Sequence, residues 1–216
     1  QIDARHVMLY VADAAGHGVS AAILALLFKH RLRLFDPTGT KLRPAAILSR
    51  MNEVLVKEIS APGIFVTAIF CLLNIDNGKL IVASAGHPPL LVREANGRMR
   101  MFEHTGPALG LYGNAVFAER EIVLQESDRV LLYTDGVFNR AENSPLDQNQ
   151  LMQELQTFDD RSFVLERILN RARDERPLAV QDDLTLLLLE ASPGVSQFDH
   201  RTNFVDDGVP SNSSDR

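Results

Sequence analysis

Three acidic positions are the first candidates for chemistry in this chain. Asp13 stands in Asp13-Ala14-Ala15-Gly16-His17-Gly18, Asp135 in Tyr133-Thr134-Asp135-Gly136-Val137, and Asp182 and Asp183 open Asp182-Asp183-Leu184-Thr185. Each lies at the border of a run of strand character: Asp13 just after one, Asp135 just after another, and the Asp182/Asp183 pair just before a third. They are far apart in sequence, yet strand ends in a sheet can converge on one rim. Carboxylates gathered there repel one another and resist ionising unless a cation neutralises them. Hard oxygen donors select magnesium or manganese. A water held between two such ions loses a proton readily and can attack phosphorus in line, so phosphoester hydrolysis is the chemistry this donor set suits. An aspartate beside a glycine is also ordinary turn chemistry, and the weight therefore falls on the combination of motifs rather than on any one of them.

The elements that must position these residues follow from periodicity. The apolar run at residues 6–12 has strand length and ends in the glycine-rich turn at Gly16 and Gly18. Residues 19–34 form a helix on the stripe Ala21, Ala22, Leu24, Ala25 and Phe28, with Lys29, Arg31 and Arg33 near its C-terminus, where they complement the helix dipole. A second helix starts near Pro44 and continues through Leu48, Met51, Leu55 and Ile59. Strands then dominate. Residues 65–75 and 79–85 form a hairpin around Asp76-Asn77-Gly78, and residues 89–93 and 98–102 form a further hairpin that continues the sheet. Residues 119–124 and 129–133 are two more strands, separated by the turn at 125–128. Helices at 147–157 and 161–173 and a last strand at 184–189 complete the order. Strands in blocks and helices in blocks imply an α+β fold with antiparallel sheets rather than a βαβ winding.

Composition narrows the function classes. Of 216 residues, 45% are hydrophobic and 23% charged, ordinary for a globular domain with a real core. The 28 acidic residues outnumber the 22 basic ones and give a net charge of −6, with no Lys/Arg cluster to track a phosphate backbone, so nucleic acid is not an expected partner. The single cysteine, Cys71, sits in an apolar run and excludes a disulfide framework; it reads as a small core residue. No run approaches the roughly 20 apolar residues of a membrane span, and the start carries no signal-peptide pattern, so a cytoplasmic location is expected. The chain begins at Gln1 close to a strand, which suggests a piece cut from a longer protein. Residues 1–191 are expected to form one domain and the polar stretch 192–216 a tail or linker.

The three aspartate motifs, together with Ser84-Ala85-Gly86-His87-Pro88-Pro89 and Gly106-Pro107-Ala108-Leu109-Gly110-Leu111 between them, resemble the stage II sporulation protein E-like branch of the bacterial PPM/PP2C phosphatases over about residues 1–190. The resemblance implies an α-β-β-α sandwich, two antiparallel sheets flanked by helical layers, with metals in a cleft at one edge. It implies a metal-dependent protein serine/threonine phosphatase, using two manganese or magnesium ions, whose substrate is a phosphorylated regulatory protein of the anti-sigma-factor-antagonist type. Carried over by motif, the metal ligands are Asp13, the main-chain carbonyl of Ala14, Asp135 and Asp182, with Asp183 the alternative for the last. Asp13, Asp135 and Asp182 are the implied catalytic set. An upstream sensor or receiver domain, a two-component signalling context and a homodimer are compatible with the resemblance. The chain departs from the family at Ala15, where many members have serine, and at Phe138-Asn139, where threonine and glutamate are common. It also starts after an upstream Gly-Gly-Asp segment that adds an acidic group to the site in other members.

His17 and His87 titrate near neutrality in water and could serve as acid, base or ligand. Each lies in a turn, where holding the loop by hydrogen bonds is the commoner role, and His87 is the more structural of the two. Phe65, Phe70, Leu72 and Leu73 read as core. A catalytically silent, phosphatase-like module that only holds a partner is the competing reading; retention of three carboxylates that repel one another without metal argues against it. A metal-dependent nuclease would need the basic surface the chain lacks.

Overall fold

A computed structural model of the chain describes residues 1–16, 18–58, 63–138, 147–157, 161–173 and 183–192. Strand β1 (His6–Ala14) and helices α1 (Val19–Arg31) and α2 (Pro44–Glu58) come first. Strands β2 (Val66–Asn74), β3 (Lys79–Ala85), β4 (Leu90–Arg93), β5 (Met99–Phe102), β6 (Arg120–Val123) and β7 (Arg129–Tyr133) follow. A 3-10 turn (Asp135–Val137), helices α3 (Gln148–Thr157) and α4 (Arg161–Arg173) and strand β8 (Leu186–Glu190) close the order.

Two four-stranded antiparallel sheets stack face to face, one in the order β1-β2-β3-β6 and the other β5-β4-β7-β8. Helices α1 and α2 cover the outer face of the first sheet, and α3 and α4 that of the second. This is the α-β-β-α sandwich expected. The inner strands β2, β3, β4 and β7 are largely apolar on both faces because both are covered, whereas the edge strands β5 and β6 expose Arg100, Arg120 and Glu121. Val11, Ile69, Cys71, Leu73, Leu80, Val82, Leu90, Val92, Val130 and Leu132 fill the space between the sheets, while the alternate residues Ala68, Phe70 and Ala83 pack under α1 and α2, and Leu91, Leu131 and Tyr133 under α3 and α4. Cys71 is fully buried and its thiol is pushed up by desolvation, as a core residue's should be.

The two outer helices of the first sheet are anchored unequally. Helix α2 buries Ile47, Leu48, Met51 and Leu55, each worth roughly 1.5–3 kcal/mol of transfer free energy. Helix α1 buries only Leu24 and Phe28 and leaves Val19, Ile23 and Leu26 exposed, so the alanines of the expected stripe are not its seam. Helix α1 also ends at Arg31 rather than at 34. Leu32 turns to an extended ψ of 127°, and the Arg33 guanidinium donates to the carbonyls of His30 (2.8 Å) and Leu32 (2.9 Å), satisfying groups the helix leaves open. Ile59 lies outside the described residues.

Two expectations about strands are corrected, and one placement that the sequence leaves open is fixed. Strand β1 extends through Asp13 and Ala14, because Ala12, Asp13 and Ala14 stay paired with Ala68, Thr67 and Val66. The β4–β5 hairpin does not continue the first sheet; β4 pairs with β7 and belongs to the second. Strands β6 and β7, adjacent in sequence, lie in different sheets, and the turn between them, with Ser127 at φ 66°, carries the chain from one layer to the other. Among the described residues no helix is long and apolar enough to cross a membrane.

Candidate active site

Side-chain alternation fixes where Asp13 points. Leu9 and Val11 pack between the sheets while Met8, Ala12 and Ala14 pack under the helices, so Asp13 falls in phase with the inter-sheet face at the last turn of β1. It is half-buried and directly opposite Thr67 of β2. The chain then turns through Ala15, whose N–H donates to the Phe65 carbonyl (2.9 Å). Gly16 and Gly18 follow at φ 103° and 73°, with open space where a Cβ would stand. Glycine is required there for conformation, not for room.

The second sheet meets the first at this same rim. Strand β3 ends at Ala85, opposite Ala68, and strand β4 begins at Leu90 in the other sheet, so the four residues Gly86-His87-Pro88-Pro89 span the layers beside Asp13's strand end. Strand β4 is antiparallel to β7, with Leu91 opposite Leu131, which puts the start of β4 beside the end of β7 and hence beside Tyr133, Thr134 and Asp135. The loop at 105–110 closes the floor. Gly86 N–H donates to the Gly106 carbonyl (2.9 Å), Val66 and Leu109 exchange main-chain bonds of 3.0 and 2.8 Å, and buried Asn52 of α2 accepts from Gly110 N–H (2.9 Å) and donates to the Tyr112 carbonyl (2.8 Å).

Asp135 opens the 3-10 turn and is exposed, while Thr134, Gly136 and Val137 around it are buried. The segment before β8 is fastened to this turn by Thr134, whose hydroxyl donates to the Asp183 carbonyl (3.1 Å) and accepts from Thr185 N–H (2.9 Å). Asp183 therefore lies beside the Asp135 turn, with its side chain exposed. Asp182 and His17 lie outside the described residues, as does Asn139. Among the described residues no three His, Cys, Asp or Glu side chains stand close enough together to hold a metal ion. Asp13, Asp135 and Asp183 are thus delivered to one rim from two sheets without forming a closed cage by themselves.

His87 is buried, 2% exposed, and holds its loop as expected: Nδ1 lies 2.9 Å from Thr67 Oγ1. Burial pushes its pKa down to about 4, partly offset by the main chain of Tyr133, so the ring is neutral at physiological pH. Thr67, Thr134 and Asn52 escaped the sequence reading. Thr67 and Thr134 are β-branched residues in strand-like runs and look like sheet formers; only their partners show that they bind the rim together.

The architecture is that of a PP2C-type phosphatase domain. The solved SiaA-PP2C domain of Pseudomonas aeruginosa superposes with a TM-score of 0.71 at 19% identity, covering 86% of this chain and 80% of that one. The model of the stage II sporulation protein E family matches residues 3–192, and the chain belongs to that family. Among curated proteins, phosphoserine phosphatase RsbP of Bacillus subtilis (strain 168) is 27% identical over 143 residues, covering 64% of this chain and 35% of that protein. Phosphoserine phosphatase RsbU of the same organism is 24% identical over 191 residues, covering 87% of this chain and 56% of that protein. The chain thus spans between about a third and just over half of the length of these relatives.

Proposed function

We propose that the chain is a divalent-metal-dependent phosphatase domain that hydrolyses a phosphoserine or phosphothreonine monoester on a regulatory protein of the anti-sigma-factor-antagonist type. The observation that supports this reading is the arrival of Asp13 from one sheet and Asp135 from the other at a single solvent-accessible rim, with the Asp183 segment tied beside Asp135. The donors are carboxylates and main-chain carbonyls, the hard oxygens that manganese and magnesium take. In this reading Asp13, the Ala14 carbonyl, Asp135 and either Asp182 or Asp183 hold the metal. Bound there, the ions would lower the pKa of water and offset charge developing on the phosphoryl group.

The chain's own residues supply positioning. Thr134 keeps the strand preceding Asp135 and the segment carrying Asp183 at a fixed separation, and the buried neutral ring of His87 stays out of proton transfer. Residues 1–191 form the catalytic unit in this proposal. It acts in the cytoplasm, as a domain answering to an upstream sensor or receiver and pairing as a homodimer.

The test is hydrolysis of p-nitrophenyl phosphate and of a phosphoserine peptide, with manganese titrated in and then removed by chelator. Metal-dependent, chelator-sensitive turnover is expected. No turnover and no manganese binding by calorimetry would transfer the fold to the alternative role, a silent module that holds a partner.

A further inference from the structure

The chain has no run of basic residues, yet the fold brings three arginines around one groove of about 370 Å³: Arg31 at the end of α1, Arg33 just after it and Arg50 on α2. Phe35, 44% exposed, lines the groove beside buried Met51 and half-buried Val54. The arginines are unequally committed. Arg31 is ion-paired with Glu58, and Arg33 spends one nitrogen on the carbonyls of His30 and Leu32. Among the described residues the Arg50 guanidinium has neither a hydrogen bond nor an ion pair. Asp36, the carboxylate that lines the groove, is occupied within its own turn, one oxygen accepting from the Thr38 N–H, the Thr38 hydroxyl and the Thr40 N–H. An apolar slot edged by guanidinium groups fits a peptide segment that carries an apolar anchor next to carboxylates.

The chain itself contains such a segment. Residues 193–216 lie outside the described residues, and within that polar stretch Phe204-Val205-Asp206-Asp207 sets two apolar side chains directly before two acidic ones. We propose that residues 204–207 dock in this groove, with Phe204 against Met51 and Val54, Asp206 on Arg50 and Asp207 on Arg33. Reach permits it. The Ala191 N–H donates to the Asp128 carbonyl (2.9 Å) and the Ser127 N–H to the Ala191 carbonyl (2.7 Å), so the chain leaves the second sheet at the turn that follows β6. Just before the other end of β6, Glu119 accepts from Arg43 Nε (2.7 Å) and from the Ala45 N–H (3.1 Å) at the start of α2. The exit and the start of the helix that lines the groove are thus separated by little more than one short strand, and the twelve residues from Ser192 to Phe204 span up to about 40 Å when extended. A tether of this kind holds a segment at an effective concentration of about millimolar, so a contact too weak to persist between separate molecules is populated within one chain. Docked, the segment bridges α2 and the end of α1, a helix that otherwise buries only Leu24 and Phe28. The docking stands apart from the phosphatase reading.

The experiment places a nitroxide spin label on Val209→Cys in the full chain and reads the broadening of amide resonances; Cys71 is fully buried and takes no label. Broadening is expected at residues 31–37 and 50–54, and added salt should weaken it. Arg50→Glu should lower the docked population about fivefold, the scale of an exposed ion pair, and so should Asp206→Lys; the two reversals together should restore it. Phe204→Ser should lower it without touching a charge, and because that residue lies outside the described domain the result does not hinge on the domain tolerating a change. No broadening at these residues, or broadening undiminished in both Arg50→Glu and Phe204→Ser, would overturn the docking. A mixture of spin-labelled chains with isotope-enriched chains lacking the label separates one molecule from two. The mixture should show little broadening; broadening as strong as within one chain would assign the groove to the tail of a second copy and overturn the intramolecular contact.

Discussion

Thr134 and Thr185 hold each other twice: the main-chain N–H of Thr134 donates to the Thr185 carbonyl at 3.1 Å, and the N–H of Thr185 donates to the Thr134 hydroxyl at 2.9 Å. The same hydroxyl donates onward to the Asp183 carbonyl, so one side chain fixes the approach to β8 against the turn that carries Asp135. Replacing it with valine keeps the shape and leaves the Thr185 N–H and the Asp183 carbonyl short of a partner. Thr134→Val should cost about 1–3 kcal/mol in urea unfolding. It should also weaken manganese affinity, whereas a valine at an exposed strand position such as Glu121 should leave that affinity unchanged.

Asp13→Asn and Asp135→Asn should each abolish manganese-dependent hydrolysis while leaving the fold intact. Asparagine is nearly isosteric with aspartate but carries no charge to hold a divalent ion. Far-ultraviolet circular dichroism and urea midpoints without metal should match wild type; retained turnover in either variant would remove that residue from the ligand set.

Asn52 is a buried amide whose two ends serve the loop under the rim, accepting from Gly110 N–H and donating to the Tyr112 carbonyl. Asn52→Leu keeps the branched shape, at somewhat larger volume, and strands both main-chain groups. A loss of about 1–3 kcal/mol is expected, the cost of leaving a partly buried main-chain group without its partner. Asn52→Asp, which keeps the acceptor for Gly110 but loses the donor, should fall between.

Stability should decline in acid partly through His87. Its unfolded pKa is about 6.5, and burial lowers the folded value to about 4. Between these values the unfolded chain takes up a proton that the folded chain does not, so stability is lost as pH falls from about 6.5 towards 4 and is unaffected above that window. Urea midpoints at pH 7.5, 6, 5 and 4.5 should show a slope in wild type that is reduced in His87→Phe. Equal slopes would mean that the ring is protonated in the folded protein.

Much of the molecule was legible in the sequence because helices and strands announce themselves locally. The run Lys79–Ala85 and the run Arg129–Tyr133 have the observed bounds, and Gln148–Thr157 starts one residue after the expected Asp147. That residue caps the helix, its carboxylate accepting from Gln150 N–H (2.8 Å) while the Gln150 side chain accepts from Asp147 N–H (2.8 Å). The aspartate motifs and the family resemblance also lie in short contiguous segments, which is why the candidate ligands could be named without coordinates. What only the tertiary structure decided is which sheet each strand joins. Residues 90–93 and 120–123 carry no local mark that assigns them to different layers, because that choice depends on partners 36 to 44 positions away. The same reason hid Thr67 and Thr134. A hydroxyl on a strand residue gains its meaning from a histidine or a main-chain carbonyl that folding brings to it, and sequence periodicity records which face a residue occupies but not what waits on the other side.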